Sequence, residues 1–252
     1  MNSIDLNCDM GELPEAFADG SQEALLPFLS SVNVACGGHA GDPQIMRGTM
    51  QQALNHRVAI GAHPGYEDPA NFGREPLPLS LQEIANSVYR QVLALDKIAN
   101  TLHATVTHVK AHGALYHQAA RDRQVAGAFA EGVRRWNPHT VLLGLAGSSM
   151  LDEFRATGFA VAAEAFADRR YNPDGTLRSR QFPNAVISDP ATAAQQALQI
   201  VQSGSVTSAD GTKVPITAQT ICLHSDTPGA LAIVSAVHRV LKDAGITIAP
   251  LR

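Results

Sequence analysis

The chain has 252 residues, of which 45% are hydrophobic and 17% are charged, and its formal net charge is −4 at pH 7. A chain of this length and composition is long enough to bury a large core, and we expect one domain over residues 1–252. Its lysines and arginines are scattered and form no basic stripe, so nucleic acids and anionic membrane surfaces are disfavoured as partners.

Seven short runs of β-branched and apolar residues alternate with longer helix-like segments. The predicted strands are, in chain order, residues 3–6, 31–35, 58–62, 107–110, 141–145, 160–164 and 220–223. Alternation of this kind predicts a parallel sheet with helices between the strands. Seven such units without a linker or a break in composition favour a closed or nearly closed α/β barrel over an open sheet.

Local signals mark several helix ends. An acceptor side chain precedes a proline at three predicted helix starts, Asp42-Pro43, Asp189-Pro190 and Thr227-Pro228. Ser80 with Glu83 fits a capping box. Gly158 and Gly245 each follow a helical pattern, where a residue that tolerates positive φ is favoured.

Two stretches interrupt the alternation of strands and helices. Residues 166–186 are rich in Arg, Asn, Asp, Gly and Pro, and the segment is long enough to be a lid or a binding loop. Residues 204–216 contain a turn sequence at 209–212 that predicts a hairpin.

Ionisable residues collect at the C-terminal ends of five of the seven predicted strands. The clusters cover residues 7–12, 36–42, 63–66, 110–113 and 224–226. The C-terminal ends of parallel strands meet at one mouth of an α/β barrel. Residues far apart in sequence are therefore expected to face one another there and to form an active site.

Two carboxylates and a lysine stand out in these clusters. Asp9 and Glu12 are candidates for a general base and a water-orienting acceptor, although a helix dipole offers Glu12 an almost equally good structural role. Lys110 lies on an otherwise apolar strand, which indicates contact with an anion or a polar ligand. His112 is two residues further on, so its side chain points to the same face if the strand persists.

Histidines are the other candidate group. Any single histidine most often has a structural role, but His39, His63 and His224 lie at equivalent strand ends, which favours function. Five further histidines fall in helix-like segments or turns and are expected to be surface or packing residues: His56, His103, His117, His139 and His238.

Two hydrolytic chemistries suit the residue types at this mouth to different degrees. Asp9, His39 and His63 have the ligand types of a hydrolytic metal site, but they form no compact spacing motif, and the metal question stays open. Ser225 lies beside His224, yet no G-x-S-x-G elbow is present, so a serine nucleophile is disfavoured.

Six ordered motifs carry a resemblance to a known family. They are DLNCDMGE at 5–12, NVACGGHAGDP at 33–43, GAHPGY at 61–66 with FGR at 72–74, HVKAHGALY at 108–116, EAFADRRY at 164–171 and ICLHSDTP at 221–228. In these motifs the chain resembles the LamB/YcsF family, the A subunits of bacterial 5-oxoprolinase, over essentially its whole length. Gly38, Ala111 and Ser225 depart from the residues expected of the family.

The resemblance implies a seven-stranded (β/α) barrel of the glycoside hydrolase/deacetylase type. It also implies hydrolysis of 5-oxo-L-proline to L-glutamate, coupled to ATP hydrolysis and performed with separate B and C subunits. The implied catalytic residues are Asp9, Glu12, His39, His63, Lys110 and His112, and the implied substrate-binding residues are Asn7, Arg169, His224 and Asp226.

The resemblance leaves the position of ATP open. The sequence contains no G-x-x-x-x-G-K-[ST] motif, so we expect ATP, with Mg²⁺, at a site shared with or located on the partner subunits. Competing hypotheses are a metal-dependent amidase or deacetylase acting on a small N-acyl or sugar substrate, and a noncatalytic ligand-binding subunit. Homo-oligomerisation stays open.

Residues 1–5 lack the basic and apolar regions of a signal peptide, and no window of the sequence has the apolar run of a transmembrane helix. Cys8, Cys36 and Cys222 are an odd number at wide spacing, which is typical of reduced thiols. These features predict a cytoplasmic protein.

Overall fold

The computed structural model describes residues 3–251. Its strands are β1 (Ser3–Met10), β2 (Ser31–Ala35), β3 (Ala59–His63), β4 (Val106–Lys110), β5 (Val141–Leu145), β6 (Ala160–Phe166), β7 (Ser205–Thr207), β8 (Lys213–Pro215), β9 (Thr220–His224) and β10 (Thr247–Ile248). Strands β1 to β6 and β9 follow one another in a single parallel sheet, and β9 pairs back with β1. The predicted seven-stranded barrel is therefore confirmed.

Helices surround this barrel. They are α1 (Pro14–Ala18), α2 (Pro43–Asn55), α3 (Leu81–Thr101), α4 (Gly113–Arg121), α5 (Arg123–Arg134), α6 (Ser149–Ala156), α7 (Pro190–Ser203) and α8 (Ala230–Asp243), with 3₁₀ turns at Glu23–Phe28 and Pro69–Asn71. Within residues 3–251, no helix combines the length and the apolarity needed to cross a bilayer.

The predicted helix signals hold with one exception. Asp42 and Asp189 cap α2 and α7 by accepting backbone hydrogen bonds, and Ser80 forms the capping box of α3 with Glu83. The prediction of a helix start at Thr227-Pro228 is wrong. Helix α8 begins at Ala230 with Gly229 at its N-cap, and the Thr227 hydroxyl instead donates to Asp168 Oδ2 at 3.1 Å.

The remaining local predictions also match the structure. Gly158 and Gly245 adopt φ angles of +87° and +74° just after α6 and α8. Strands β7 and β8 form the predicted hairpin, whose turn includes Gly211. The stretch at 166–186 folds back on itself through two bridges, one between Arg169 and Val186 and one between Tyr171 and Leu177.

Strand β1 is four residues longer than predicted. The expected end at residue 6 is wrong because polar residues continue the ladder: Asp9 pairs in register with Asn33 of β2 and with His224 of β9. Asn7 and Asp9 therefore lie within the strand, and they do not follow it as predicted. A search for apolar runs misses this extension of the strand, because its inward-facing residues, Asn7 and Asp9, are polar.

The barrel interior is lined by polar side chains, whereas the outward face of the strands packs against the helices. On β1 the outward residues are Ile4, Leu6, Cys8 and Met10, which belong to the apolar core. The alternate positions join a buried hydrogen-bond network that consists of Asp5, Asn7, Asp9, Ser31, Asn33, His108, Lys110, Glu164, Thr220 and Cys222. The sheet thus carries a polar column that leads towards the C-terminal mouth.

Gly61 on β3 leaves space for a ring inside this column. A Cβ at Gly61 would lie 2.1 Å from His108 Nε2. The amide oxygen of Asn33 can only accept, so His108 Nε2 donates to it at 3.0 Å, and Nδ1 accepts from the Thr107 hydroxyl at 3.0 Å. Burial, with a smaller effect of Lys110, lowers the pKa of His108 to about 3, which keeps the ring neutral.

We expect Gly61→Ala to destabilise the protein by about 1–3 kcal/mol, because the added Cβ would collide with the buried His108 ring, whose two nitrogens are both held by hydrogen bonds. The matched control is Gly127→Ala in α5, where an added Cβ meets nothing closer than 3.5 Å and alanine is the better helix former by roughly 0.5–1 kcal/mol. Urea unfolding followed by circular dichroism measures both effects. A Gly61→Ala protein as stable as the wild type would contradict a filled barrel interior.

Candidate active site

A buried ammonium group lies at the centre of the mouth. Lys110, at the end of β4, is 2% exposed. Its Nζ lies 2.9 Å from Asp9 Oδ1, 2.9 Å from Glu164 Oε1 and 3.0 Å from Cys222 Sγ. Burial favours the neutral amine, but Asp9, Cys222 and Glu164 outweigh it and raise the pKa of Lys110 well above its ordinary value. The three donors of the ammonium thus face three protein acceptors.

Asp9 is held between several partners. Its Oδ1 accepts from Lys110 Nζ and from Asn33 Nδ2, the latter at 2.7 Å, while Oδ2 lies 3.3 Å from His63 Nε2. Burial alone would raise the pKa of this carboxyl, but His63 and Lys110 outweigh it and hold the pKa well below its ordinary value. The Ser225 hydroxyl donates to the Asp9 carbonyl at 2.8 Å. The structure therefore presents an ionised carboxylate at the end of β1.

Glu12 faces three histidines. Its Oε1 lies 3.0 Å from His39 Nε2, 3.0 Å from His112 Nδ1 and 3.7 Å from His63 Nε2. Burial would raise the pKa of Glu12, but His112 and His39 outweigh it and hold the pKa well below its ordinary value. The His39 and His112 rings are stacked, with centroids 3.5 Å apart.

Two of these rings have a fixed orientation. His63 Nδ1 lies 2.9 Å from the Lys110 carbonyl, and His112 Nε2 lies 2.9 Å from the Phe72 carbonyl. A carbonyl oxygen can only accept, so both nitrogens carry hydrogen. The other two nitrogens, His63 Nε2 and His112 Nδ1, lie 3.0 Å apart and both face Glu12.

The segment after β3 closes over this cluster. Phe72 and Gly73 have φ angles of +56° and +61°, and a Cβ at Gly73 would lie 2.7 Å from the Cβ of His39. Only a glycine allows the backbone to approach the stacked rings this closely. This approach also brings the Phe72 carbonyl to His112.

A second pair lies where β6 and β9 end, next to Asp9 of the neighbouring strand β1. His224 Nδ1 lies 2.9 and 3.0 Å from the two carboxylate oxygens of Asp168, and the His224 backbone N–H donates to Oδ2 at 3.0 Å. Phe166 stacks on the His224 ring with centroids 5.7 Å apart. Because Nδ1 bonds to Asp168, Nε2 is the nitrogen of His224 that is available to a ligand.

Arginines from the stretch at 166–186 surround the same side. Arg169 is 3% exposed, and burial together with Arg180 lowers its pKa to about 10. Its Nη2 donates to the Arg178 carbonyl at 2.7 Å, and its Nε has no partner within the described part of the chain. Asp226 pairs with Arg74 and lies 3.5 Å from Arg180 Nη1.

His117 lies in helix α4, the kind of segment in which the sequence places it. It is partly buried, and burial together with Arg169, Arg121 and Arg180 lowers its pKa to about 4.

The structure brings most of the predicted site residues together. Two groups meet at the mouth: Asp9, Glu12, His39, His63, Lys110 and His112 in one, and Arg169, His224 and Asp226 in the other. Asn7 is not among them. It is fully buried one layer below Asp9, where its amide bonds to Glu164, Thr220 and Asn33.

Sequence reasoning missed three members of the site, Glu164, Asn33 and Asp168. Glu164 and Asn33 lie inside strands, where only their spacing of two from apolar outward residues marks them as facing the interior. Asp168 follows β6 directly, next to Arg169. Like the five clusters identified from the sequence, Asp168 is an ionisable residue just beyond the C-terminal end of a strand. A sixth strand end therefore contributes to the mouth.

The structure explains two of the three departures from the residues expected of the family, Gly38 and Ser225. A Cβ at Gly38 would lie 2.3 Å from Gln91 Oε1, so the glycine leaves room for this side chain. Gln91 then donates to the Gly65 carbonyl at 2.7 Å and accepts from its N–H at 3.1 Å, which fixes the loop after His63. Ser225 supplies the hydroxyl that bonds to the Asp9 carbonyl. Nothing in the structure explains Ala111.

Known proteins match this chain over almost its full length. The profile of the LamB/YcsF family matches residues 4–252. A protein of Chloroflexus aggregans, which bears the name of the 5-oxoprolinase A subunit, is 51% identical over 248 residues, covering 98% of both chains. One of the same name from Bacillus cereus is 46% identical over 252 residues, again covering 98% of both.

Solved structures give the same result for the fold. A lactam utilization protein from Thermus thermophilus superimposes with a TM-score of 0.92 at 39% identity, covering 99% of this chain and 100% of that one. A family 4 carbohydrate esterase from Streptomyces lividans superimposes with a TM-score of 0.53 at 12% identity, covering 100% and 93%, and shares the fold alone. The profile match and the curated relatives together show that the chain belongs to the LamB/YcsF family.

Proposed function

We propose that this chain is the A subunit of an ATP-dependent 5-oxoprolinase, which hydrolyses 5-oxo-L-proline to L-glutamate together with separate B and C subunits. We infer this activity from the relatives of the chain, which are named as A subunits of 5-oxoprolinase. The observation that supports catalysis by this chain is the ionised Asp9, which lies buried at the barrel mouth between Lys110 and His63.

The difficulty of the reaction explains the need for ATP. An unstrained five-membered lactam is a poor electrophile, because its nitrogen lone pair is delocalised into the carbonyl. Transfer of the γ-phosphoryl group to the lactam oxygen gives an activated imidate and ADP. We place ATP and Mg²⁺ at a site shared with or carried by the partner subunits, since the sequence has no P-loop.

Water then adds to the activated carbon, and Asp9 accepts its proton. Asp9 suits this role because Oδ1 is fixed by Lys110 and Asn33, which leaves Oδ2 as the basic oxygen. Breakage of the C–N bond leaves an amine and an acyl phosphate. A second water hydrolyses the acyl phosphate to the carboxylate and inorganic phosphate, so one ATP and two waters give glutamate, ADP and phosphate.

The departing amine needs a proton, and His224 is our candidate donor. Asp168 fixes its Nδ1, so Nε2 is the nitrogen that faces a substrate. Asp168 acts through His224 and is a positioning residue. The substrate carboxylate is assigned to Arg169, which carries no carboxylate partner of its own among the hydrogen bonds of the described residues.

We expect glutamate and ADP to form from 5-oxo-L-proline and ATP when this chain is combined with its candidate B and C partners. Asp9→Asn keeps the shape of the side chain but removes the base, so the rate should fall by about 10²–10⁴-fold. Enzyme-coupled glutamate detection measures this. The control is Asp243→Asn on the exposed end of α8, which should leave the rate unchanged. Absence of glutamate from the complete mixture, or a fully active Asp9→Asn protein, would contradict the proposal.

We expect Asp168→Asn to lower kcat by about 10²-fold, because the amide cannot hold His224 in the same orientation. His224→Gln should lower it further, and the double variant should be no slower than His224→Gln alone. The measurement is a double-mutant cycle on kcat, with urea unfolding of each variant alongside. Independent, additive losses would show that Asp168 does not act through His224.

A further inference from the structure

We propose that Glu12, His63 and His112 bind one divalent transition-metal ion of the Zn²⁺ class. One oxygen of Glu12 and one nitrogen of each histidine lie within 4.8 Å of one another, and all three residues are buried. This set differs from the Asp9, His39 and His63 set considered from the sequence: His39 Nε2 lies 3.0 Å from Glu12 Oε1 but does not belong to the group of ligand atoms that lie within 4.8 Å of one another.

The directions of the hydrogen bonds leave three ligand atoms facing one another. His63 Nδ1 and His112 Nε2 both donate to backbone carbonyls. In the neutral rings, the lone pairs of His63 Nε2 and His112 Nδ1 therefore point at each other across 3.0 Å, and both face Glu12. One proton would give a single N–H···N hydrogen bond between these nitrogens, and protonating both rings would bring two N–H groups into the same 3.0 Å. A metal ion satisfies all three acceptors at once.

The spacing of the ligand atoms fits such an ion. Bonds of about 2.0–2.1 Å in a tetrahedral zinc site place neighbouring ligand atoms about 3.3 Å apart. The three separations here are 3.0 Å for His63 Nε2 to His112 Nδ1, 3.0 Å for His112 Nδ1 to Glu12 Oε1 and 3.7 Å for His63 Nε2 to Glu12 Oε1. These values lie on both sides of the expected distance.

Each ligand is oriented by an outer hydrogen bond, as metal-binding side chains generally are. His63 bonds to the Lys110 carbonyl and His112 to the Phe72 carbonyl, both at 2.9 Å. His39 donates to Glu12 at 3.0 Å. The cluster therefore has both the inner atoms and the supporting contacts of a metal site.

The ligand types select the ion. Two imidazoles and one carboxylate suit Zn²⁺ and related transition ions, whereas Mg²⁺ prefers oxygen ligands. Three protein ligands leave a fourth position open. A second cluster, Asp9, Cys222 and His224, is disfavoured because the Lys110 ammonium already donates to Asp9 and Cys222. Metal binding at this cluster does not depend on the lactam reaction.

Titration of the chelator-treated chain with Zn²⁺ by isothermal titration calorimetry tests the site without any assay of activity. We expect one ion per chain. Glu12→Gln and His112→Gln should lose this stoichiometric binding, and His39→Gln should weaken it by about 10–100-fold. His139→Ala removes an exposed histidine outside the site and should bind as the wild type does. Circular dichroism establishes that each variant is folded.

The alternatives give distinct outcomes. A folded wild-type chain that binds no ion would overturn the proposal and leave the cluster bridged by protons alone. Binding that survives in His112→Gln but is lost in Cys222→Ala would assign the ion to the second cluster and overturn this ligand set. With Co²⁺ as the probe, a thiolate charge-transfer band would give the same contrary result, because the proposed set contains no sulfur.

Discussion

The contact on which the rest of the site depends is the one between the Lys110 ammonium and the carboxylates of Asp9 and Glu164. An ammonium and two carboxylates in a barrel interior are costly to remove from water, and only close pairing offsets that cost. The three residues come from β4, β1 and β6, so their pairing ties together strands that are not neighbours in the sheet. The barrel is thus held together by backbone hydrogen bonds between neighbouring strands and by ion pairs that cross its interior.

This central charge organises the mouth above it. Lys110 fixes one oxygen of Asp9 and leaves the other directed towards His63. The Lys110 carbonyl in turn fixes the His63 ring, whose second nitrogen faces Glu12. One residue of β4 therefore determines the orientation of both a carboxylate and an imidazole. Because the donors of Lys110 are already occupied, an electrostatic and positioning role is favoured over direct contact with substrate.

Much of this could be predicted from the sequence, since strand periodicity and parallel connectivity place strand ends at one mouth. His39, His63, Lys110 and His224 were found in this way because they end or closely follow apolar runs. Glu164 was not found, because in the sequence a carboxylate that faces the barrel interior cannot be distinguished from a surface carboxylate until its partner is known. The pairing of Asp168 with His224 and the shared orientation of the rings depend on contacts across 56 and 49 residues, which no local pattern encodes.

The most direct measurement is the free energy of unfolding of Lys110→Met, Glu164→Gln and the double variant, obtained from urea denaturation. If the ammonium holds the buried carboxylates, Lys110→Met should lose about 3–5 kcal/mol, because it leaves them unpaired. The double variant should lose less than the sum of the single losses, by roughly 1–3 kcal/mol. A Lys110→Met protein within about 1 kcal/mol of the wild type, or strictly additive losses, would contradict the account.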